Sequence, residues 1–302
     1  MLNKKIRTHI SWCMKRFDSA FYCYDLDGLK LHLQNLKNET PKGIKLWYAC
    51  KANPLSSILK EFRDEGFGVD ISSLGEMNHV LNVGFDHQDI ISTGPCKSKD
   101  YLRTLLDNGI STLVVESINQ LEWLEEVATE MKLDTKVLLR VRLPWEEGSS
   151  VLGGNDITPF GIEPESWSKF DFTKLIHVKP IGFHCFQWGN ILDPQRLKKI
   201  WSKIAQVLQE LSLSLNISME VLDLGGGLGL DYEENQSPLE IKEFMKILDE
   251  IKKRFKLNEI WMELGRFAVG NYGVYATKII DMKRSGNREL IITEGGINHL
   301  AR

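Results

Sequence analysis

The sequence predicts an α/β chain: a (β/α)8 barrel of the TIM type with a small antiparallel β domain beside it. Three observations predict it. Eight apolar, strand-like runs alternate with helical or glycine-rich segments, over the roughly 230 residues that such a barrel needs. After the eighth unit, two more strand-like runs follow with no helix between them. An aromatic run near the start, residues 20–25 (AFYCYD), has strand character and is available to join those two.

The elements follow in order. Leu29 to Leu36 carries leucines at helical spacing. The eight strand candidates are 44–50 (IKLWYAC), 68–71 (GVDI), 89–92 (DIIS), 111–115 (STLVV), 136–142 (KVLLRVR), 178–185 (VKPIGFHC), 219–223 (MEVLD) and 259–263 (EIWME). Between them, segments such as 55–63, 117–128, 197–212 and 239–252 place apolar residues at i, i+3 and i+4. An open doubly wound sheet is the rival, because periodicity alone does not close a barrel. Residues 273–281 (GVYATKIID) and 289–294 (ELIITE) flank Ser285-Gly286-Asn287 and predict an antiparallel pair. The stretch 144–158, with Gly148, Gly153 and Gly154, predicts a long loop. The barrel is expected over 27–270, with 1–26 and 271–302 as parts of the β domain.

Composition excludes several classes. The chain has 302 residues, 42% hydrophobic and 26% charged, with a net charge of −3. That is an ordinary globular balance, with no basic excess to attract nucleic acid. No apolar run reaches the 18 or so residues of a membrane span. The five cysteines, Cys13, Cys23, Cys50, Cys96 and Cys185, are odd in number and form no C-x-x-C pair. This pattern predicts a reducing compartment. The basic start, Met1 to Arg7, is followed by no apolar core, so the expectation is a cytoplasmic protein without a secretory signal.

In a barrel, chemistry gathers at the C-terminal strand ends, and the unusual residues of this chain fall there. Lys51 ends the first strand and Asp70 the second, with Ser73-Leu74-Gly75-Glu76 just after. Glu116 follows the fourth, Arg140 and Arg142 end the fifth, and His184 ends the sixth. Gly225-Gly226-Gly227-Leu228-Gly229 follows the seventh, and Glu263-Leu264-Gly265-Arg266 the eighth. A lysine at a strand end is commonly just solvated; if desolvated, its pKa falls and it can form a Schiff base. Consecutive glycines serve a tight turn, or expose backbone N–H groups to a phosphate. Glycines after strand seven and an arginine after strand eight match the usual barrel phosphate position. Glu263 suits either a nearby arginine or a protonated heterocyclic nitrogen. His184 alone reads as a core histidine. No H-x-x-x-H or Cys/His cluster is present, so no metal site is predicted.

A Schiff-base lysine, a phosphate nest and a carboxylate together describe a pyridoxal phosphate site. From about residue 20 onward the sequence resembles the barrel-type (fold type III) pyridoxal phosphate decarboxylases, the family of diaminopimelate, ornithine and biosynthetic arginine decarboxylases. The resemblance rests on Tyr48-Ala49-Cys50-Lys51-Ala52-Asn53, Gly68-Val69-Asp70, Ser73-Leu74-Gly75-Glu76 and Gly94-Pro95-Cys96-Lys97. It continues through Phe160-Gly161-Ile162, Gly182-Phe183-His184, the 225–229 run, Glu263-Leu264-Gly265-Arg266 and Glu294-Gly295-Gly296-Ile297-Asn298.

The resemblance implies pyridoxal 5'-phosphate as cofactor and an amino acid as substrate, decarboxylated through a Schiff base on Lys51. It implies that His184 stacks on the pyridine ring and Glu263 pairs with the ring nitrogen. Gly225, Gly226, Gly227 and Arg266 would hold the phosphate, with Asp70, Arg140 and Gly265 also near the cofactor. Glu294 matches an acidic position that faces the distal group of the substrate. Diaminopimelate, ornithine, lysine, arginine and conjugated amino acids are all open as substrates.

Two departures stand out. The family commonly has His-x-Gly-Ser where this chain has His184-Cys185-Phe186-Gln187; the serine binds phosphate in relatives, so either Gln187 replaces it or the contact is lost. The sequence also stops at Arg302, whereas in relatives the β domain continues and supplies a tyrosine and, across a homodimer interface, a cysteine. The expectation is an incomplete β domain and a fragment that is inactive alone. Racemases of the same fold are a rival, but they usually follow Lys-Ala-Asn with Ala-Tyr-Gly-His, where this chain has Pro54-Leu55-Ser56-Ser57. A non-catalytic binding protein built on the decarboxylase fold is the rival from another class, and retention of Lys51, Glu263 and Arg266 argues against it.

Overall fold

The structure is a computed structural model and describes residues 4–17, 19–145, 149–150, 153–154, 158–233 and 235–299. The chain divides into two compact units: Lys30–Ala268, and a smaller one made of Met1–Leu29 with Val269–Arg302.

Along the chain, helix α1 (Lys4–Met14) precedes strand β1 (Phe21–Tyr24) and helix α2 (Leu26–Glu39). Then come β2 (Ile44–Ala49), α3 (Ser56–Asp64), β3 (Gly68–Ile71), α4 (Leu74–Val83) and β4 (Ile90–Ser92). They are followed by α5 (Lys99–Asp107), β5 (Thr112–Val115), α6 (Ile118–Met131), β6 (Thr135–Arg140) and β7 (Val178–His184). The larger unit closes with α7 (Pro194–Leu215), β8 (Val221–Asp223), α8 (Ile241–Phe255) and β9 (Glu259–Leu264). Strands β2 to β9 form one closed parallel barrel, in the order β8-β9-β2-β3-β4-β5-β6-β7 with β7 returning to β8. Closure overturns the open-sheet rival.

Side-chain alternation sorts the strand residues. Trp47, Ile91, Val114, Leu138, Ile181, Val221 and Trp261 form one buried cluster. The Trp47 and Trp261 rings meet edge-on at 5.0 Å. The next residue, Tyr48, turns the other way and stacks on Phe62 of α3 at 3.8 Å. Gly68 lies opposite Trp47 in register, and any Cβ there would run into the indole. Glycine at that position is therefore what admits the large ring.

Helix starts hold the strand ends in place. Ser73 caps α4 by accepting the Glu76 N–H, and Glu76 returns a carboxylate oxygen to the Ser72 N–H at 2.6 Å. This is a variant of the capping box in which the returning side chain takes the N–H of the residue before the cap. Ser117 and Gln120 do the same for α6, with Gln120 Oε1 accepting the Glu116 N–H at 3.0 Å. The Ser73-to-Glu76 motif is thus accounted for by helix capping at the mouth of the barrel.

The smaller unit departs from expectation. Residues 273–281 are not one strand: β10 (Gly273–Ala276) pairs antiparallel with β1, and β11 (Ile279–Ser285) pairs with β12 (Arg288–Thr293). The result is two separate two-stranded sheets. The chain leaves one pairing for the other at Thr277 and Lys278, which accept the N–H groups of Gly295 and Glu294 at 3.0 Å each. Helix α1 was not expected. Ile6, Ile10 and Cys13 recur on one of its faces, and Cys13 is buried. Within the 144–158 loop, Ser149–Ser150 pairs with Gly153–Gly154; the expectation for 146–148, 151–152 and 155–157 lies outside the described residues, as it does for 300–302. Among the described residues no helix is long and apolar enough to cross a membrane.

Candidate active site

The C-terminal ends of β6, β7 and β8 align three polar residues in register: Arg140 opposite His184, and His184 opposite Asp223. All three are buried. Glu263, near the end of β9, is buried beside them, and His184 Nε2 lies 3.1 Å from Glu263 Oε1. Burial alone would raise the Glu263 pKa. The charge and hydrogen bond of His184, with Lys51 and Arg140, outweigh it and hold the carboxyl down at about 2. Glu263 therefore pairs with His184; Arg266, the candidate partner in the sequence, is exposed, with its guanidinium 5.8 Å over the Tyr232 ring.

Lys51 sits in a single 3-10 turn, Cys50–Ala52, directly after β2. Its Nζ lies 3.2 Å from Asp70 Oδ2, and the other oxygen of Asp70 accepts a 2.7 Å bond from Thr93 Oγ1. The lysine side chain is open while Asp70 is fully buried. The expectation of a lowered lysine pKa does not hold here. The Asp70 charge raises it, against the desolvation that would lower it, and Glu263 adds to the rise. Asp70 itself is pushed up to about 6, chiefly by burial and by Glu263. Near neutral pH the pair is an ammonium on a carboxylate.

The glycine run packs against this cluster. Gly225 and Gly227 have φ of +62° and +101°, in the left-handed region that favours glycine. A Cβ on Gly226 would stand 2.7 Å from the Glu263 carbonyl oxygen, and one on Gly227 2.5 Å from the Trp188 carbonyl oxygen. The Gly225 N–H is bonded inward to Asp223 Oδ1 at 2.8 Å. Its carbonyl accepts the Glu263 N–H at 2.7 Å. Of the three predicted phosphate contacts, Gly225 thus serves as the anchor of the turn. Gly265 is half-buried, and a Cβ there would meet Ala52 Cβ only at 3.9 Å.

Arg140 is held by Glu116, whose Oε1 accepts its guanidinium at 2.8 Å. Glu116 Oε2 accepts the Gly161 N–H at 2.8 Å, and the guanidinium also lies 4.6 Å over the Phe160 ring. Arg142, grouped with Arg140 in the sequence, pairs instead with Glu163. Lys97 folds back over its own turn, is buried, and donates to the Gly94 carbonyl. Burial takes its pKa down to about 8, although Glu116 and Asp70 oppose the fall.

Gln187 does not replace the phosphate-binding serine. Its Nε2 donates to the Leu143 carbonyl, and its Oε1 accepts the Leu143 N–H at 3.3 Å and the Cys185 thiol at 3.2 Å. The amide staples the segment after β6 to the segment after β7. Glu294 lies in the smaller unit, just past β12. Its N–H bonds the Lys278 carbonyl at 3.0 Å, and Oε2 is buried without a hydrogen-bond partner.

Sequence reading gave no role to Asp223, Glu116, Lys97 or Thr93, although Glu116 and Lys97 stand in the strand-end residues and motifs it singled out. Of these, Asp223 carried a signal: an aspartate two residues before a glycine N–H, the pattern of an Asx turn. It also missed that one donor atom from each of His184, Asp223 and Glu263 lies within 4.8 Å of the others, a set able to hold a cation.

Pyridoxal 5'-phosphate fits these residues. An open lysine amine, a buried ionised carboxylate and a turn whose glycines leave no room for side chains are together at one barrel end. His184 Nδ1 and Asp223 Oδ2 are buried without partners there.

Comparison with known proteins agrees. The family model described as pyridoxal-dependent decarboxylase, pyridoxal binding domain, matches residues 26–270. The chain is 26% identical to the L-glutamyl-[BtrI acyl-carrier protein] decarboxylase of Niallia circulans, covering 98% of this chain and 71% of that enzyme. It is 28% identical to the diaminopimelate decarboxylase of Bacillus methanolicus, covering 94% of this chain and 69% of that one. Among solved structures, the diaminopimelate decarboxylase of Helicobacter pylori complexed with L-lysine superposes with a TM-score of 0.85 at 24% identity, over 95% of this chain and 73% of the other. At that identity the likeness shows the fold.

Proposed function

The chain belongs to the pyridoxal-dependent decarboxylases, enzymes that decarboxylate amino acids with pyridoxal 5'-phosphate, and from that premise we propose that Lys51, His184 and Glu263 carry the reaction at the barrel mouth. One observation carries the assignment: an open lysine amine 3.2 Å from a buried carboxylate, with an ionised Glu263 held by His184 among the groups acting on it.

When bound, the cofactor supplies an aldehyde for the amine and a pyridine ring that takes up the electron pair left as CO2 departs. Lys51 is the residue for the aldehyde. Asp70 keeps its ammonium parked at the strand end and must give up that grip when the amine reacts. Glu263, ionised throughout the neutral range, would hold a proton on the ring nitrogen. A fixed charge of this kind needs no reorganisation during the reaction. His184 would lie against the ring and orient Glu263 through Nε2. Gly226, Gly227 and Arg266 would receive the phosphate, with Gly225 and Gly265 shaping their turns. Arg140, fixed by Glu116, would lie near the cofactor.

The barrel would span 27–270, with 1–26 and 271–302 in the β domain. Glu294, with its unpartnered oxygen, would face the distal group of the substrate. The relatives named for diaminopimelate and for carrier-bound glutamate support a free or carrier-bound amino acid as substrate. Five free cysteines support a reducing, cytoplasmic setting, and the family resemblance supports a homodimer, which mass in solution tests. The functional test is CO2 release, with product mass spectrometry, from diaminopimelate, ornithine, lysine, arginine and carrier-bound glutamate. Release from one of these that depends on added cofactor is expected from a chain whose β domain is complete, and little or none from residues 1–302 alone; no release from either would overturn the reading.

A further inference from the structure

Asp223 has no part in the roles above, yet it touches both halves of the site. It ends β8 fully buried. Oδ1 accepts the Gly225 N–H at 2.8 Å, and this same glycine gives its carbonyl to the Glu263 N–H at 2.7 Å. Gly225 is therefore gripped from two sides: by the Asp223 side chain and by the backbone of Glu263. Oδ2 of Asp223 is buried without a partner, and so is Nδ1 of His184. One donor atom each of Asp223, His184 and Glu263 falls within 4.8 Å of the others. On the adjacent strand β7, the Cys185 N–H just after His184 donates to the Asp223 carbonyl at 2.9 Å.

Two buried carboxylates this close do not both ionise readily. Glu263 is held low by His184, and Asp223 is pushed up to about 7 by burial and by Glu263. Asp223 is thus the member of the pair that can carry a proton near neutrality, which leaves the charge on Glu263.

Resting on the cofactor site proposed above, we propose that Asp223 is a positioning residue: it ties the phosphate-binding glycine turn to the ring-binding His184–Glu263 pair, so that filling either end tightens the other. Linkage requires such an effect to be mutual. A phosphate that orders Gly226 and Gly227 fixes Gly225, and Gly225 fixes Asp223 and Glu263.

The test uses pyridoxal, which has the ring alone, and inorganic phosphate, which has the other end alone. Pyridoxal affinity is measured by absorbance with and without saturating phosphate, in the parent and in Asp223→Ala, Asp223→Leu and Asp223→Asn. Phosphate should tighten pyridoxal at least about fivefold in the parent. Ala and Leu remove the acceptor for the Gly225 N–H and should bring the effect below twofold. Leu fills the volume and serves if Ala fails to fold. Asn keeps an acceptor oxygen and should keep the effect. A merely structural role would lower the melting temperature in Ala and Leu and leave the tightening intact. That outcome, loss of tightening in Asn, or no tightening in a parent that binds pyridoxal 5'-phosphate, would overturn the inference alone. A parent that binds no pyridoxal 5'-phosphate would overturn the proposed site and the inference with it.

Discussion

The buried pair Glu116–Arg140 offers a sharp test of how the site is held. Both residues are nearly inaccessible, at 3% and 5% exposure, so solvent does little to screen the 2.8 Å contact. Replacing Glu116 by leucine strands a buried guanidinium and frees the Gly161 N–H that Glu116 Oε2 now accepts. Leaving one partner of such a pair uncompensated costs about 3–5 kcal/mol. Arg140→Met strands the carboxylate and should cost a similar amount. The double substitution removes both charges and keeps apolar bulk, so its cost should be about 1–2 kcal/mol, far below the sum of the singles. Urea unfolding of the cofactor-free chain, read as a double-mutant cycle, measures the difference. A coupling of about 3 kcal/mol or more is expected. Additivity within about 0.5 kcal/mol would mean that the two side chains do not depend on each other, and that Glu116 is not what positions Arg140.

Three further outcomes follow from the same geometry. Gly226→Ala sets a methyl 2.7 Å from the Glu263 carbonyl; overpacking of this kind costs about 1–3 kcal/mol, and absorbance titration should show pyridoxal 5'-phosphate binding weakened by about fivefold or more, with unchanged affinity counting against a closed turn. Glu263→Gln should lower turnover on the order of 100-fold while cofactor affinity stays within about tenfold; turnover within threefold of the parent would remove Glu263 from the mechanism. Lys97 has a folded pKa of about 8 against an ordinary 10.5, so its buried charge destabilises the fold in full below pH 8, and the penalty is relieved as pH rises toward 10.5. Lys97→Met should remove about 2 kcal/mol of that pH-dependent gain between pH 8 and 10, seen by comparing urea midpoints of both chains at those two pH values; equal pH dependence in the two would place the Lys97 ammonium in solvent.

The barrel was legible because its strands are short apolar runs bounded by breaks in pattern: 68–71 is identical in sequence and structure, and the others differ by a residue or two at their ends. The smaller unit was less so. Alternation continues through Thr277 and Lys278, and the exchange of partners there depends on Glu294 and Gly295, far along the chain. In the site, residue types at strand ends singled out Lys51, His184 and Glu263, which the fold brings near one another. What they meet was not local information. Asp70 reaches Lys51 because Ala49 and Asp70 are opposed in register, and that reverses the expected direction of the lysine pKa. Gln187 looked like a substitute ligand because only its position could be compared. Its amide is engaged by Leu143, 44 residues away.

The central claim is that Lys51 is the amine that holds the cofactor, and chemical capture tests it most directly. The chain is incubated with pyridoxal 5'-phosphate, reduced with borohydride, digested and mapped by mass spectrometry. The account predicts a phosphopyridoxyl group on Lys51, lost in Lys51→Ala while the fold remains. A label on Lys97 in its place, or no site-specific label at all, would contradict it.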